Sequence, residues 1–453
     1  HYVGAMDPGH AFHTLLTYMG VIGTETSRLE DLFVPLDPDG FDVMHFPEFS
    51  FQFPKGYEKL ITRLSAEFPG ERGAIESYFE KVREVAVNFP TYQFRETLDM
   101  TFIVKALVTP LSTVVRELTS NVRLQAVFMS YCALHGVEPD DVGFGMHAIV
   151  TDSLIQSPYG LAEGGDAVAR KYLQAIERNG GKVLMRKKVA QIETEGRMAK
   201  AVITTDGERH EAEWIISGIH PKRTLELVSE PSAFSPAFVG RLKNLRESTG
   251  FFGVYAACST QPDLSSLKNY YYFSSSDPKV ILSTGSPQEQ PNAVFLCPAS
   301  RIPGESKYPF SMNLHATGPL EWFSEWQNTK LGQRPEAYQK LKNDYAEGIF
   351  ARVEQYSPGT CATVDRFATS TPLTNLHFNG TPDGSPYGMY HSIQNTGARA
   401  IGPRTHVANL LLTGQNSLFP GLLGAVISGL RTTGHIIGIK PLLRELMDLK
   451  VKA

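Results

Sequence analysis

The sequence predicts an α/β protein in which one domain is assembled from separated segments and a mixed α+β domain is interleaved with it. Three observations lead to this prediction. A helical pattern at 164–181 runs directly into a β-meander. An aliphatic strand, NLLLTG at 409–414, returns far downstream. The stretch between them, 226–404, mixes strand patterns such as GFFGVYAACS and AVFLCP with a long helical one, as expected for an inserted domain.

Length and composition describe an ordinary globular chain. The 453 residues suffice for two or three domains, and 42% are hydrophobic and 20% charged. The net charge of −4, without a basic run, gives no support for a nucleic-acid partner. The four cysteines form no CxxC pair, so neither a disulfide framework nor a zinc site is predicted and a reducing, cytoplasmic compartment is favoured. They are Cys132, Cys258, Cys297 and Cys361.

No membrane span is predicted. The apolar stretch 102–115 contains Lys105 and Pro110 and is too short to cross a bilayer. The stretch 409–439 is long and apolar, but its polar residues and many glycines argue against a lipid environment. We therefore expect a soluble protein, with peripheral contact to a membrane surface left open.

Helical patterns dominate the first third of the chain. Apolar residues recur at helical spacing over 57–147, and Pro69, Pro90 and Pro110 mark breaks between helices. The helices around 95–130 are candidates for the walls of an apolar tunnel and for docking on a membrane, although ordinary core helices have the same pattern.

The segment GGDAVARKYLQAIERNGG at 164–181 predicts a single amphipathic helix. Val168, Tyr172 and Ile176 fall on one face, Asp166 can cap the start, and Gly180 can end the helix. The sequence KVLM at 182–185 then predicts a short buried strand.

A three-strand meander follows. VAQIETE (189–195) leads through Gly196 into AKAVITT (199–205), and the dipeptide Asp206-Gly207 is a hairpin turn signal. The return strand is predicted within ERHEAEWIISG, residues 208–218.

The stretch after the strand at 409–414 predicts a helix that begins at Pro420. Glycine costs about 1 kcal/mol relative to alanine inside a helix, so a stripe of small residues indicates that another group approaches closely. Uncapped N–H groups in the first turn suit an anionic or electron-rich ligand. Packing against a neighbouring strand is the alternative explanation. The stripe consists of Gly421, Gly424, Ala425 and Ser428. Another face of the same helix carries Leu423, Ile427 and Leu430.

Several catalytic motifs are missing from the sequence. It contains no HExxH or other metal spacing and no GxSxG, which argues against metalloenzymes and hydrolases. It also contains no GxGxxG that follows a strand.

Four segments resemble the phytoene desaturase, carotenoid isomerase and retinol saturase family of FAD-dependent oxidoreductases, within the wider amine-oxidase-like superfamily. LLLTGQNSLFPGLLGAVISGL (410–430) resembles the family's C-terminal flavin-binding signature, and 164–221 resembles its central segment. TPLTNLHFNGTPDGSPYGMYH (371–391) is similar to the active-site segment of the retinol saturase branch. HYVG (1–4) resembles the same branch, which favours saturases and isomerases.

The resemblance implies a domain organisation. Residues 151–225 and 405–440 would form an FAD/NAD(P)-binding Rossmann-like domain, and 20–150 and 226–404 the substrate-binding domain. The family begins with a strand, a GxGxxG turn and a helix. This sequence starts after that unit, so we expect it to be a fragment of a longer protein.

The resemblance also implies cofactor-binding residues. Val189 would hold the adenine through its backbone, Gly414 and Gln415 would meet the pyrophosphate and ribityl chain, and the helix start at 421–425 would face the flavin ring. Where the superfamily often has aspartate, Gln415 can form hydrogen bonds but carries no charge. The full predicted set is Val189, Ser217, Gly414, Gln415, Pro420, Gly421, Leu422, Gly424, Ala425 and Ser428.

The implied chemistry is hydride or electron exchange between flavin N5 and a carbon of a long apolar substrate. A C=C bond of a retinoid- or carotenoid-like isoprenoid would be saturated, desaturated or isomerised, with NAD(P) as a candidate electron donor. Tyr2, Tyr387 and His391 are candidate proton donors, although each also fits a buried structural role.

Two alternatives to this function stay open. The first is a flavoenzyme that acts on a fatty acid or an amine. The second is a flavin-free lipid carrier of the same fold, because the pyrophosphate-binding GxGxxG is missing from the sequence.

Overall fold

Helices and strands follow one another along the chain largely as predicted. The computed structural model describes residues 2–96, 100–280, 283–303 and 305–452. In chain order, strands β1 to β15 span Tyr2–Val3, Phe33–Pro35, Asp42–His45, Ser50–Phe53, Tyr159–Leu161, Val189–Glu195, Met198–Thr204, Arg209–Glu211, Ile215–Ser217, Phe251–Cys258, Asn269–Phe273, Ala293–Pro298, Phe310–Thr317, Arg366–Ser370 and Leu410–Leu412. Helices α1 to α15 span Ala11–Tyr18, Tyr57–Glu67, Arg72–Asn88, Pro90–Gln93, Met100–Val108, Leu111–Leu118, Val122–Met129, Phe144–Gln156, Gly165–Arg178, Pro221–Leu227, Pro236–Lys243, Glu336–Glu354, Pro372–Phe378, Gly421–Ile437 and Ile439–Lys452.

The predicted helical region is confirmed as helices α2 to α8. Pro69 lies in the turn between α2 and α3, Pro90 is the first residue of α4, and Pro110 precedes α6. Residues 97–99 of this region, and His1 of the HYVG motif, lie outside the described residues. The buried faces of these helices join the C-terminal helices α14 and α15 in one hydrophobic cluster.

Helix α9 confirms the helix predicted at 164–181, with two corrections. Gly164 rather than Asp166 occupies the N-cap position, and the Asp166 carboxylate pairs with Arg170 one turn later. Ile176 is 44% exposed, since Ala175 takes the buried position in the last turn. Gly180 follows the C-cap with a φ of +79°, the left-handed conformation expected at a helix end.

The strand predicted at 182–185 is wrong. The segment is irregular, and Leu184 and Met185 are 54% and 71% exposed. A buried strand needs a neighbour that pairs with its backbone N–H and C=O groups. Within the described residues no strand pairs with this segment, so its apolar sequence alone does not make it a strand.

The predicted meander is confirmed as the sheet β6–β7–β8. The predicted return strand divides in two because its halves have different partners. β8 pairs with β7, whereas β9 pairs in parallel with β15, in the register Leu410 to Ile215 and Leu412 to Ser217. This parallel pair joins the two separated segments, and helix α14 follows it.

A larger sheet has the order β14–β10–β13–β12–β11–β3–β4. Helix α12 packs on one face, where alternate residues such as Val254, Leu296 and Leu314 are fully buried. The parallel pair β3–β11 brings residues 42–45 beside 269–272. The predicted domain boundaries remain a prediction.

None of the described helices is both long and apolar enough to cross a bilayer.

We expect Gly143→Ala to lower stability, because a Cβ at position 143 would overlap the backbone of Leu107, with the Leu107 carbonyl carbon only 2.7 Å away. The expected cost is about 1–3 kcal/mol. Gly73→Ala is the control, since a Cβ there meets nothing within 4 Å and should be neutral or stabilise α3 by up to about 1 kcal/mol. Thermal unfolding of both variants measures the difference, and equal midpoints would contradict the described contact between α5 and α8.

Candidate active site

Backbone and small side chains form an open surface at the start of α14. Gly421 has a φ of +80°, and a Cβ built there meets nothing within 4 Å. Gly414 has a φ of +93°, and its nearest neighbour is the Gly218 oxygen at 3.5 Å. Pro420 gives the first turn no side-chain cap, and Leu422 is 48% exposed. This surface leaves room for a ligand against the helix N-terminus.

Three of the predicted cofactor residues lie inside the protein instead. A Cβ at Gly424 would overlap the backbone of Phe419. Glycine at this position therefore allows the preceding loop to pack closely against α14. Ser428 is 1% exposed and its hydroxyl pairs with that of Ser417. The Ser217 hydroxyl pairs with that of Thr224 at 2.8 Å.

In these three residues the side-chain position is occupied by protein atoms, and their predicted role in binding a cofactor stays a prediction. The half-exposed or exposed members of the predicted set are Val189, Gly414, Gln415, Pro420, Gly421, Leu422 and Ala425. Their role in binding a cofactor stays a proposal.

The loop that precedes α14 is tied to the segment 385–391. Gln415 donates its side-chain Nε2 to the Pro386 oxygen at 3.0 Å, and its own carbonyl lies 2.9 Å from His391 Nε2. Asn416 accepts from the Met389 N–H at 2.9 Å. The predicted active-site segment and the predicted flavin signature therefore meet in space.

His391 fits a structural role better than that of a proton donor. Its ring is 3% exposed, and burial lowers its pKa to about 4, so the imidazole is neutral at pH 7. Its Nε2 proton is donated to the Gln415 carbonyl. Tyr387 packs edge-to-face on Phe251 with centroids 5.7 Å apart, and its hydroxyl lies 3.4 Å from the Ala133 oxygen. Burial raises the pKa of Tyr387.

The sheet face opposite α12 carries an aromatic surface, which we call the aromatic wall. It consists of Phe251, Tyr255, Tyr271, Phe295 and His315. Phe295 lies 4.8 Å from Tyr271 and 6.4 Å from His315, and Tyr255 lies 6.0 Å from His315, between ring centroids. Phe251, Phe295 and His315 are partly buried and Tyr255 is 42% exposed, whereas Tyr271 is 1% exposed and belongs to the helical core cluster.

Tyr2 extends the aromatic wall. Its ring centroid lies 6.1 Å from that of Phe295, and its hydroxyl lies 2.6 Å from the hydroxyl of Tyr271. Tyr2, Phe295, Phe419 and Leu423 all pack against the same hydrophobic cluster. Tyr387 packs on Phe251 of the wall and belongs to the segment that Gln415 contacts, so the wall and the loop before α14 border one region of the molecule.

A buried carboxyl group lies behind the wall. Asp42 Oδ2 accepts from the hydroxyls of Tyr2 at 2.8 Å and Tyr131 at 2.9 Å, and Oδ1 accepts from Asn269 Nδ2 at 2.8 Å. The Asn269 oxygen in turn accepts from Arg301 Nη2 at 2.5 Å. Burial raises the pKa of Asp42 to about 6, against the opposing effect of the three hydrogen bonds.

Sequence reasoning selected Tyr2 but missed Asp42, Tyr131 and Tyr271. One signal was available: Asp42 is an acidic residue inside the apolar strand pattern FDVMHF, where a buried charge requires partners. The identity of those partners was not accessible, because they come from three distant parts of the chain.

The described residues also contain one group with metal-ligand chemistry, although no metal was expected. Ligand atoms of the buried residues Cys132, His135 and His147 lie within 4.8 Å of one another. The two imidazoles lie 3.3 Å apart, and His147 Nε2 donates to the Phe128 oxygen. Burial lowers the pKa of both histidines, so a neutral hydrogen-bonded pair accounts for the arrangement.

Known proteins are similar to this chain over most of its length. The all-trans-retinol 13,14-reductase of Rattus norvegicus is 24% identical over 96% of this chain and 77% of its own length. This chain is similar to retinol saturases over most of its length. No protein-family profile matches the sequence.

Solved structures confirm the fold. An oxidoreductase from Methanosarcina mazei aligns with a TM-score of 0.59 at 13% identity, over 96% of this chain and 87% of that one. Cyclohexylamine oxidase from Brevibacterium oxydans aligns with a TM-score of 0.54 at 14% identity, over 98% and 87%. The predicted Rossmann-like α/β fold and the assignment to FAD-dependent oxidoreductases are confirmed. NAD(P) as donor, peripheral membrane contact and a cytoplasmic location stay predictions.

Two glycines of α14 allow a matched test of the interior assignment. Gly424→Ala should lower the unfolding midpoint, since overlap with Phe419 at 2.7–2.9 Å costs about 1–3 kcal/mol. Gly429→Ala should raise it, because a Cβ there meets nothing within 4 Å and alanine is worth up to about 1 kcal/mol in a helix. Differential scanning calorimetry on both variants gives the comparison. A stabilised Gly424→Ala variant would show that the loop does not pack on α14 as described.

Proposed function

We propose that this protein is an FAD-dependent reductase that saturates a C=C bond of a retinoid-like polyene. The observation that carries the proposal is the aromatic wall, a partly exposed apolar surface that ends in the hydroxyl pair of Tyr2 and Tyr271. The relative from Rattus norvegicus is an all-trans-retinol 13,14-reductase, which supports the same substrate class.

The open surface at Gly414 and Gly421 fits a flavin dinucleotide, because both glycines have room where a Cβ would stand. We propose that Gly414, Gln415 and the first turn of α14 hold its pyrophosphate and ribityl chain, and that Val189 holds the adenine through its backbone. Positive helix-terminal N–H groups favour the anionic pyrophosphate. In its reduced form the bound flavin supplies a hydride.

The aromatic wall would bind the polyene. Phe251, Phe295 and the ring of Tyr255 offer flat apolar surface, which suits a rigid conjugated chain, and the buried Tyr271 supports Phe295 from inside the core. Each Å² of apolar surface removed from water contributes about 25 cal/mol, so a polyene needs few polar contacts. Covering the wall also excludes water from the reacting carbons.

The second hydrogen of the reduction is a proton, and the hydroxyls of Tyr2 and Tyr271 are placed at the wall to provide it. His391 and Tyr387, the other predicted donors, would instead position the segment 385–391 against the cofactor loop. NAD(P)H as the source of electrons for the flavin remains part of this proposal.

We expect the purified full-length protein to be yellow and to release FAD on denaturation. Ala425→Leu should reduce FAD retention at least tenfold, because it adds bulk to a half-exposed position on the surface proposed for the flavin. Gly429→Ala, on the same helix, is the control. Absorbance of released flavin per mole of protein measures retention. A colourless protein that cannot be reconstituted would favour a lipid carrier.

The substrate class is tested by incubating the reduced enzyme with retinoid, carotenoid, fatty-acid and amine panels. We expect a retinoid product that has gained two hydrogens, measured by mass spectrometry. A desaturase would lose two hydrogens and an isomerase would leave the mass unchanged. Turnover of fatty acids or amines alone would overturn the proposed substrate.

A further inference from the structure

We propose that Asp42, Tyr2 and Tyr271 form a proton wire that delivers the second hydrogen to the substrate, with Asp42 as the group that stores the proton. The inference rests on the proposed reductase function and deepens it, since neither the resemblance nor the comparisons assign a role to Asp42 or Tyr271.

The hydroxyls and the carboxyl form a continuous chain. Tyr2 lies between the other two residues, 2.8 Å from Asp42 Oδ2 and 2.6 Å from the Tyr271 oxygen. Tyr131 also donates to Oδ2 and Asn269 to Oδ1, but neither stands between Asp42 and Tyr271. Tyr271 is 1% exposed and packs on Phe295 with ring centroids 4.8 Å apart, so the chain runs from the buried carboxyl to the inner side of the aromatic wall.

The charge of Asp42 decides which way the hydrogen bonds point. A tyrosine hydroxyl has one hydrogen to donate. When Asp42 is a carboxylate, Tyr2 must donate to it, and Tyr271 then donates to the Tyr2 oxygen. The hydrogen of Tyr271 is directed away from the wall in this state, so Tyr271 cannot donate to the substrate.

Protonation of Asp42 allows the reverse order. The carboxylic acid donates to the Tyr2 oxygen, Tyr2 donates to the Tyr271 oxygen, and the hydroxyl hydrogen of Tyr271 becomes free to point at the wall. The same three side chains thus form either a closed or a donating chain, and one proton on Asp42 switches between them.

The reaction balances with one proton from the wire. A bound reduced flavin would supply the hydride, with its electron pair, to one carbon. The neighbouring carbon takes the Tyr271 proton as the C=C π bond is replaced by two C–H bonds. Tyr271 recovers a proton from Tyr2, and Tyr2 from Asp42. Asp42 is left as a carboxylate and, because it is fully buried, regains its proton through Tyr2 and Tyr271 from water that reaches the wall after the product leaves.

The environment of Asp42 places this switch in an accessible pH range. Burial raises the pKa of Asp42 to about 6. Four groups oppose this rise: the hydrogen bonds from Asn269, Tyr2 and Tyr131, and the positive charge of Arg301. Tyr271 on β11 and Arg301 after β12 are the other ionisable groups close to this carboxyl. The protonated, donating form is present below this pKa and is lost as pH rises through it.

The rate of C=C reduction in single turnover tests the wire. We expect it to fall about tenfold per pH unit above pH 6 in the wild type, and Asp42→Asn and Tyr2→Phe to lower it about 100-fold, a usual contribution of a general acid. Asp152→Asn is the matched control: Asp152 is a buried carboxyl that accepts from Tyr57 and Tyr92 among the helices.

A second variant keeps the test valid if Asp42→Asn fails to fold. Tyr131→Phe removes a hydrogen bond that favours the carboxylate, so it should raise the pKa of Asp42 and move the falling limb of the pH profile to higher pH. Tyr272→Phe, on the opposite face of β11, should leave the profile in place. An unmoved profile in Tyr131→Phe overturns the proposal.

Infrared difference spectroscopy gives a readout that does not depend on turnover. We expect a carboxylic-acid C=O band that disappears as pH rises through about 6, that is missing in Asp42→Asn, and that titrates at higher pH in Tyr131→Phe. No such band in the wild type would overturn the wire. If the band is present but no polyene is reduced, the proposed function fails instead, so the two failures are distinguishable.

Discussion

Side chains that alternate along the strands give the large β-sheet two different faces, and the rest of the site depends on this constraint. Helix α12 packs on the face that carries Val254, Leu296 and Leu314. Because side chains alternate along each strand, the residues between them must point to the other side. On that side Tyr271 and Phe273 pack into the helical core, whereas Tyr255 of the aromatic wall is 42% exposed.

Local patterns were sufficient for much of the fold. The helix α9, the meander β6–β7–β8 and the strand–loop–helix unit at β15 and α14 each arise from spacing, turn residues and caps within a few tens of residues. The segment 182–185 shows where such patterns fail. An apolar tetrapeptide becomes a strand only if a neighbour pairs with it, and pairing is decided outside the segment.

The candidate site was only partly predictable for the same reason. The glycines of α14 looked equivalent in sequence, yet Gly421 borders open space while Gly424 borders the backbone of Phe419. The spacing of residues along a helix shows which residues share a face, but it does not show which atoms pack against that face. The partners of Asp42 come from β1, β11 and the turn after α7, so their meeting is a property of the whole fold.

The pairing of β3 with β11 has a consequence for how the chain reaches its native state. Strands β3 and β11 are neighbours in the sheet but are separated by more than two hundred residues of sequence, and the edge strand β14 comes later still. During synthesis on the ribosome, the edge of β3 that pairs with β11 therefore stays unpaired until β11 has emerged. Contacts this distant slow folding and expose strand edges to self-association, so we regard this interval as the point at which the nascent protein most needs a chaperone.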